Sequence, residues 1–162
     1  MLTPYHILPD DAKVWIYQAN RSFTPEEVWD ISDILENFVD KWQSHQRDVA
    51  GYGSLYYRRF LVLMADENKC DVSGCSIDSS VKLIRELEQA YDINFFDRMK
   101  VCYKITNELV GSFPLLQLNE LMEKGKLTEQ TIIFNNLVST KKDFETKWEI
   151  PLNESPFIKF TV

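Results

Sequence analysis

Cys75, His45 and Asp66 are the side chains that could share out nucleophilic catalysis: a thiolate to attack, an imidazole to take its proton, a carboxylate to orient the ring. Cys75 lies in a small-residue turn, Ser73-Gly74-Cys75-Ser76, just before an apolar stripe of helical spacing. The partial positive charge at a helix N-terminus lowers a thiol pKa and favours the thiolate. His45 is the histidine available for the role, because His6 lies near the start of the chain. Asp66 or Glu67 would hold the imidazole. The plainer reading makes Cys75 a small residue buried under the turn, since free cysteines are among the most buried types. A cysteine-dependent enzyme or thiol redox sensor is therefore the second functional class for this chain, not the first.

The first is binding without chemistry. Residues 60–81 read FLVLMADENKCDVSGCSIDSSV, an apolar run that empties into a polar loop and then a helix. Proteins of α/β class commonly place a site at such a junction. Ser73, Gly74, Ser76 and Asp78 bring hydroxyls, a bare backbone and a carboxylate to it. The alternative is simple capping of the helix by Ser76 or Asp78. Asn20-Arg21 supplies a second cluster, between a strand at 13–18 and the next helix. If that strand, the helix and a strand at 55–65 form a parallel crossover, the Asn20-Arg21 turn and the 66–76 loop share one sheet edge. Arg21 then faces Asp66, Glu67 or a bound anion. The expectation is a non-catalytic binding or regulatory domain, with its site at the Asn20-Arg21 turn and the 66–78 loop. Its partner is a small anionic ligand or a protein.

No metal or cofactor is predicted. Asp66, Glu67, Asn68, Asp71 and Asp78 have oxygens for Mg²⁺ or Ca²⁺, but an EF-hand loop starting at Asp66 fails. Asp71 stands at the required glycine and Ile77 at the required glutamate. Cys70, Cys75, Cys102 and His45 lack the paired spacing of a zinc site. Trp15, Tyr17, Trp29, Trp42 and Trp148 could line a pocket, but aromatics at these spacings are first of all core.

The string VWIYQANR at 14–21, the string SGCSIDSSV at 73–81 and Phe96-Asp97-Arg98 carry a resemblance over nearly the whole chain. They resemble an uncharacterised family of small bacterial proteins whose members often bear the description "ABC transporter ATPase". The resemblance implies no catalytic residue. The residues speak against that activity. FLVLMADE does look like a Walker B strand, but such an ATPase also needs the phosphate loop G-x-x-x-x-G-K-[ST]. The Gly-Lys pair of this chain, Gly125-Lys126, is followed by Leu127, and Glu120 stands where the first glycine belongs.

Several elements must position these residues. Thr24-Pro25-Glu26-Glu27 opens a helix with a capping box, and Val28, Ile31, Leu35, Phe38 and Trp42 mark its buried stripe. Residues 43–54 read as a polar connection containing Gly51 and Gly53. Residues 55–65 read as a central strand covered by helices on both sides. Ile77, Val81, Ile84, Leu87 and Tyr91 trace a second helix. Residues 99–105 alternate as a strand with Lys100, Cys102 and Lys104 on a wet face. Pro114 opens a helix that stops at Gly125. The segment 131–138 suits strand or helix and is read as strand. Thr140 starts a short helix toward Trp148, and 157–162 reads as an edge strand. The pattern predicts an α/β fold, a single-domain layered structure at 1–162 with a mixed sheet flanked by helices.

The bulk properties narrow the classes. With 162 residues, 44% hydrophobic and 27% charged, the chain can bury a core unaided. A net charge of −7 argues against nucleic-acid binding, which rests on clustered Lys and Arg. No apolar run approaches the roughly 18 residues of a membrane helix, and the first residues lack a secretion signal. Three cysteines without framework spacing favour a reducing, cytoplasmic setting.

Overall fold

Thr24 begins the longest legible element for the reasons written in its neighbours. In the computed structural model its side chain accepts from Glu27 N at 3.2 Å, and the Glu27 carboxylate accepts from Thr24 N at 2.8 Å. Pro25 fills the first helical position, where a missing N–H costs nothing. The resulting helix, α1, spans Pro25–Lys41 and buries Ile31, Leu35 and Val39. The structure describes residues 1–161 apart from Asp71 and Ser73, and of Cys75 the backbone alone. The fold is α/β. The chain divides into two compact units, Met1–Phe96 with Ser139–Lys142, and Asp97–Val138 with Asp143–Val162.

In the first unit, β1 (Lys13–Gln18), β4 (Ala50–Tyr56) and β5 (Phe60–Asp66) form a sheet in the order β1-β5-β4. The central strand is β5, as its continuous apolar run predicts, and it is buried at every position. The single strand expected over 55–65 is corrected: the chain turns at 57–59, where Tyr57 and Arg58 are left-handed, and Leu55 and Tyr56 belong to β4. Both of its neighbours run antiparallel to it. Among the described residues the parallel pairing is an isolated bridge, Leu2 to Gly51. The parallel crossover expected for strand 13–18 is therefore corrected. So is the helix cover on two faces: α1 and α2 (Gly74–Tyr91) share the face of Leu61 and Leu63. On the opposite face Tyr52 meets the ring of Tyr5, with centroids 5.3 Å apart. Antiparallel strands need no crossover, and it is crossovers that place helices on both sides.

Residues 43–54 are not a connection. They hold a short hairpin, β2 (Gln43–Ser44) with β3 (Arg47–Asp48), and then most of β4. The glycines read as loop markers are packing residues. A Cβ on Gly53 would lie 2.9 Å from Leu35 Cγ, and one on Gly51 would lie 3.1 Å from Trp42 and Val39. Their absence of side chain lets α1 lie close on the sheet.

The second unit is built on a four-stranded antiparallel sheet. Its members are β6 (Lys100–Lys104), β7 (Val110–Pro114), β8 (Ile132–Phe134) and β9 (Glu149–Pro151), ordered β7-β6-β8-β9. Val101, Phe113, Leu118, Ile133 and Leu152 are its core. Segment 131–138 resolves to a short strand. Pro114 ends a strand rather than opening a helix, and α3 (Leu118–Glu123) follows a 3₁₀ turn and gives way to Gly125 at φ 71°. The wet face expected for β6 is dry at its centre, since Cys102 is fully buried. Helix α4 (Lys141–Lys147) starts after Thr140 as expected. The tail is a 3₁₀ helix, Pro156–Phe160, not an edge strand. Ser155 caps it by accepting from Phe157 N at 3.2 Å, and Pro156 cannot donate to a ladder.

Candidate functional site

The antiparallel register separates the two halves of the expected site. Gln18, at the end of β1, faces Phe60, whereas Asp66 sits at the other end of β5, beside Ala50. The seven-residue strand β5 separates them, roughly 20 Å of extended chain. The Asn20-Arg21 turn and the 66–78 loop thus leave opposite ends of the sheet.

At the first end the polar groups are consumed by the fold. Arg21 makes two parallel bonds to Glu27, at 2.8 and 2.9 Å, and donates to Tyr91 O at 2.7 Å. Arg21 therefore faces Glu27 rather than Asp66, Glu67 or an anion. The hydrogen bonds from Arg21, assisted by the Thr24 N–H, hold the Glu27 carboxyl down at about 2, and the Arg21 guanidinium is correspondingly raised. Asn20 N donates to Asn94 O, and Asn20 Oδ1 accepts from Asn94 N, both at 2.9 Å. Arg58 and Arg59, from the β4–β5 turn, close the same loop. Arg58 donates twice to Phe23 O, at 3.0 and 2.7 Å, and Arg59 donates to Ala19 O and Asn20 O. Tyr57 and Arg58 hold this turn with φ of 55° and 52°, a left-handed conformation that costs about 1–2 kcal/mol per non-glycine residue. Those four guanidinium-to-carbonyl bonds help to hold it there.

At the other end Asp66 is buried and accepts from Asn68 N at 3.0 Å, an Asx turn, while Asn68 reaches Asp11 at 3.1 Å. Cys70 is buried with Sγ 3.8 Å from Ser44 O. Helix α2 starts at Gly74, so neither Ser76 nor Asp78 is its cap. Ser76 Oγ donates to Gln43 O at 2.9 Å, and Ser76 O accepts from Trp42 Nε1 at 3.1 Å. Asp78 is exposed, and a Cβ built on Gly74 meets open space. His45 is exposed at the β2–β3 turn with φ 50°. The Cys75 side chain, Asp71 and Ser73 lie outside the described residues, and with them the Cys75–His45–Asp66 pairing. Cys102, the remaining zinc candidate, is buried in β6 of the second unit. Among the described residues no three His, Cys, Asp or Glu side chains gather as metal ligands.

A concave surface lies at Trp42, one of the aromatics that could line a pocket but whose spacing reads first of all as core. An open groove of about 500 Å³ runs between α1 and the start of α2. Ile34, Phe38 and Trp42 form its apolar wall, with Lys41, Gln43 and Ser79 at the rim. Trp42 is fixed there by edge-on packing with Trp15 at 5.9 Å and by Phe38 at 5.5 Å. The sequence signal was available: Ile34, Phe38 and Trp42 recur at four-residue spacing beside the buried stripe Ile31, Leu35, Val39. That apolar face is wider than one sheet contact covers.

No family model, curated protein or solved structure matches the chain. The geometry alone bears on what the groove does. Among the described residues no helix is long and apolar enough to cross a membrane.

Proposed function

We propose that this chain is a non-catalytic binding module whose ligand has an apolar body and a negative end, received in the α1–α2 groove. The observation that carries this is the groove itself. Ile34 and Phe38 of its wall are partly exposed above the buried Trp42, while the polar groups of the Asn20-Arg21 turn are spent on internal bonds. Lys41 at the rim offers the cation. Gly74 and Asp78 remain accessible at the neighbouring start of α2. A ligand site of this kind needs an apolar lining and few polar groups to set orientation.

The probe 8-anilinonaphthalene-1-sulfonate has this chemistry. Saturable binding to the folded protein is expected, weakened about tenfold in Phe38→Ala and less in Lys41→Ala, with unfolding midpoints recorded for each variant. Equal binding by wild type and Phe38→Ala would remove the groove from the reading.

One observation favours a second reading. Cys75 is the second residue of an 18-residue helix, where the backbone dipole stabilises a thiolate. A cysteine-dependent enzyme or redox sensor predicts iodoacetamide labelling of Cys75 in the folded protein with a midpoint well below the free-thiol value of about 8.5. Labelling only after unfolding would end that reading and leave the binding module standing.

A further inference from the structure

Helix α1 has a second surface, opposite its buried stripe, that the groove does not use. Trp29 was expected in the core and is instead 75% exposed on that surface. Around it stand Glu26, Asp30, Asp33, Glu36 and Asp40, all exposed. Successive members are three or four residues apart, so they form one ridge. From Glu26 to Asp40 the ridge is about 21 Å long.

This face is poorly arranged for the stability of the helix that carries it. Like charges at these spacings cost about 0.2–0.5 kcal/mol per pair. Asp40 lies in the last turn, where the helix dipole disfavours an acid. Among the described residues none of these carboxylates is in an ion pair. No other helix among the described residues sets five such acids in one row. Each of the others carries at least one acid paired at helical spacing, Lys82–Glu86 and Arg85–Glu88 on α2, Lys124–Glu120 on α3 and Lys147–Asp143 on α4, beside single exposed acids such as Asp78 and Glu123. The ion pair α1 does make, Arg21–Glu27, lies at its first turn and off the ridge.

We propose that the Trp29 ridge is the docking surface for a cationic polypeptide segment. The charge that is missing from the ridge is what the partner supplies. An Arg or Lys of the partner would sit over the Trp29 ring, and its neighbours would pair with the flanking carboxylates. Tryptophan is among the residue types enriched at interface hot spots. Partner residues spaced along an extended or helical segment can follow a ridge of this length. No ridge residue lines the groove, although the two surfaces adjoin at Asn37 and Lys41.

The test is fluorescence anisotropy of a labelled Lys-Ala-Arg repeat peptide at physiological salt, with the Glu-Ala-Glu repeat as control. Saturable binding of the basic peptide alone is expected. Trp29→Ala should weaken it at least about tenfold, as should the double variant Asp33→Lys/Glu36→Lys. The double variant Glu123→Lys/Glu129→Lys makes the same change in net charge elsewhere and should stay within about twofold. Phe38→Ala should retain peptide binding even where it loses the groove probe. An unaffected Trp29→Ala, or equal loss in both charge-reversed variants, would overturn the ridge as a site. So would concentration-dependent self-association abolished by Trp29→Ala, because a second copy would then be the occupant.

Discussion

Glu27 does three things with one carboxylate: it closes the capping box, pairs with Arg21 in a two-bond fork and, through Arg21, ties α1 to the end of α2 at Tyr91. Its folded pKa of about 2 lies below the ordinary glutamate value of about 4.3. A depressed carboxyl stabilises the fold above the unfolded pKa, and that stabilisation is lost as pH falls through the window between the two values. Because Arg21 is partly exposed, the contribution is on the order of 1 kcal/mol. Glu27→Gln should therefore lower the urea midpoint at about pH 7 and lose most of that difference near about pH 2. A deficit independent of pH would mean that Arg21 does not depend on the charge. The Thr24–Glu27 relation was legible because it is local. The fate of Arg21 was not, because one of its acceptors is the Tyr91 carbonyl, which only the tertiary fold brings near. Asn20 and its Asn94 partner repeat the lesson.

At the scale of elements, continuous patterns were readable and interrupted ones were not. The apolar run of β5 and the stripe of α1 announce themselves over many residues. The strand β4 does not, because Gly51 and Gly53 break its pattern and mimic a loop. Their role depends on α1, which sits against positions that a side chain would fill. Gly53→Ala should consequently destabilise the protein by about 1–3 kcal/mol, although alanine is intrinsically better than glycine in a strand. Leu35→Ala in the same chain should make the two costs less than additive. Additive costs in a urea-unfolding cycle would show that the contact with Leu35 is not the cause. The groove was hidden for a related reason. Phe38 and Ile34 look like core in a sequence; Trp42 beside them is core, bonded to Ser76 O of α2, whereas part of the Ile34 and Phe38 surface is left open.

At the scale of the molecule, the mixed α/β character was legible and the direction of the strands was not. The apolar patterns of β1 and β5 are compatible with either pairing, and the choice of antiparallel register is what splits the expected site in two. The make-up of the first unit bears on how the chain is made. The first unit includes Ser139–Lys142. Ser139 O receives Val14 N at 3.0 Å, Thr140 bridges Lys13, and the buried ammonium of Lys141 donates to Leu8 O at 2.8 Å. A ribosome delivers all of 97–138 before that strap exists. At about 5–20 residues per second the interval is roughly 2–8 s. Through it the outer edge of β1 has no cover, and the Val14 N–H and Leu8 carbonyl wait for partners not yet synthesised. The nascent chain is thus open at a strand edge for seconds, a template on which another chain can pair.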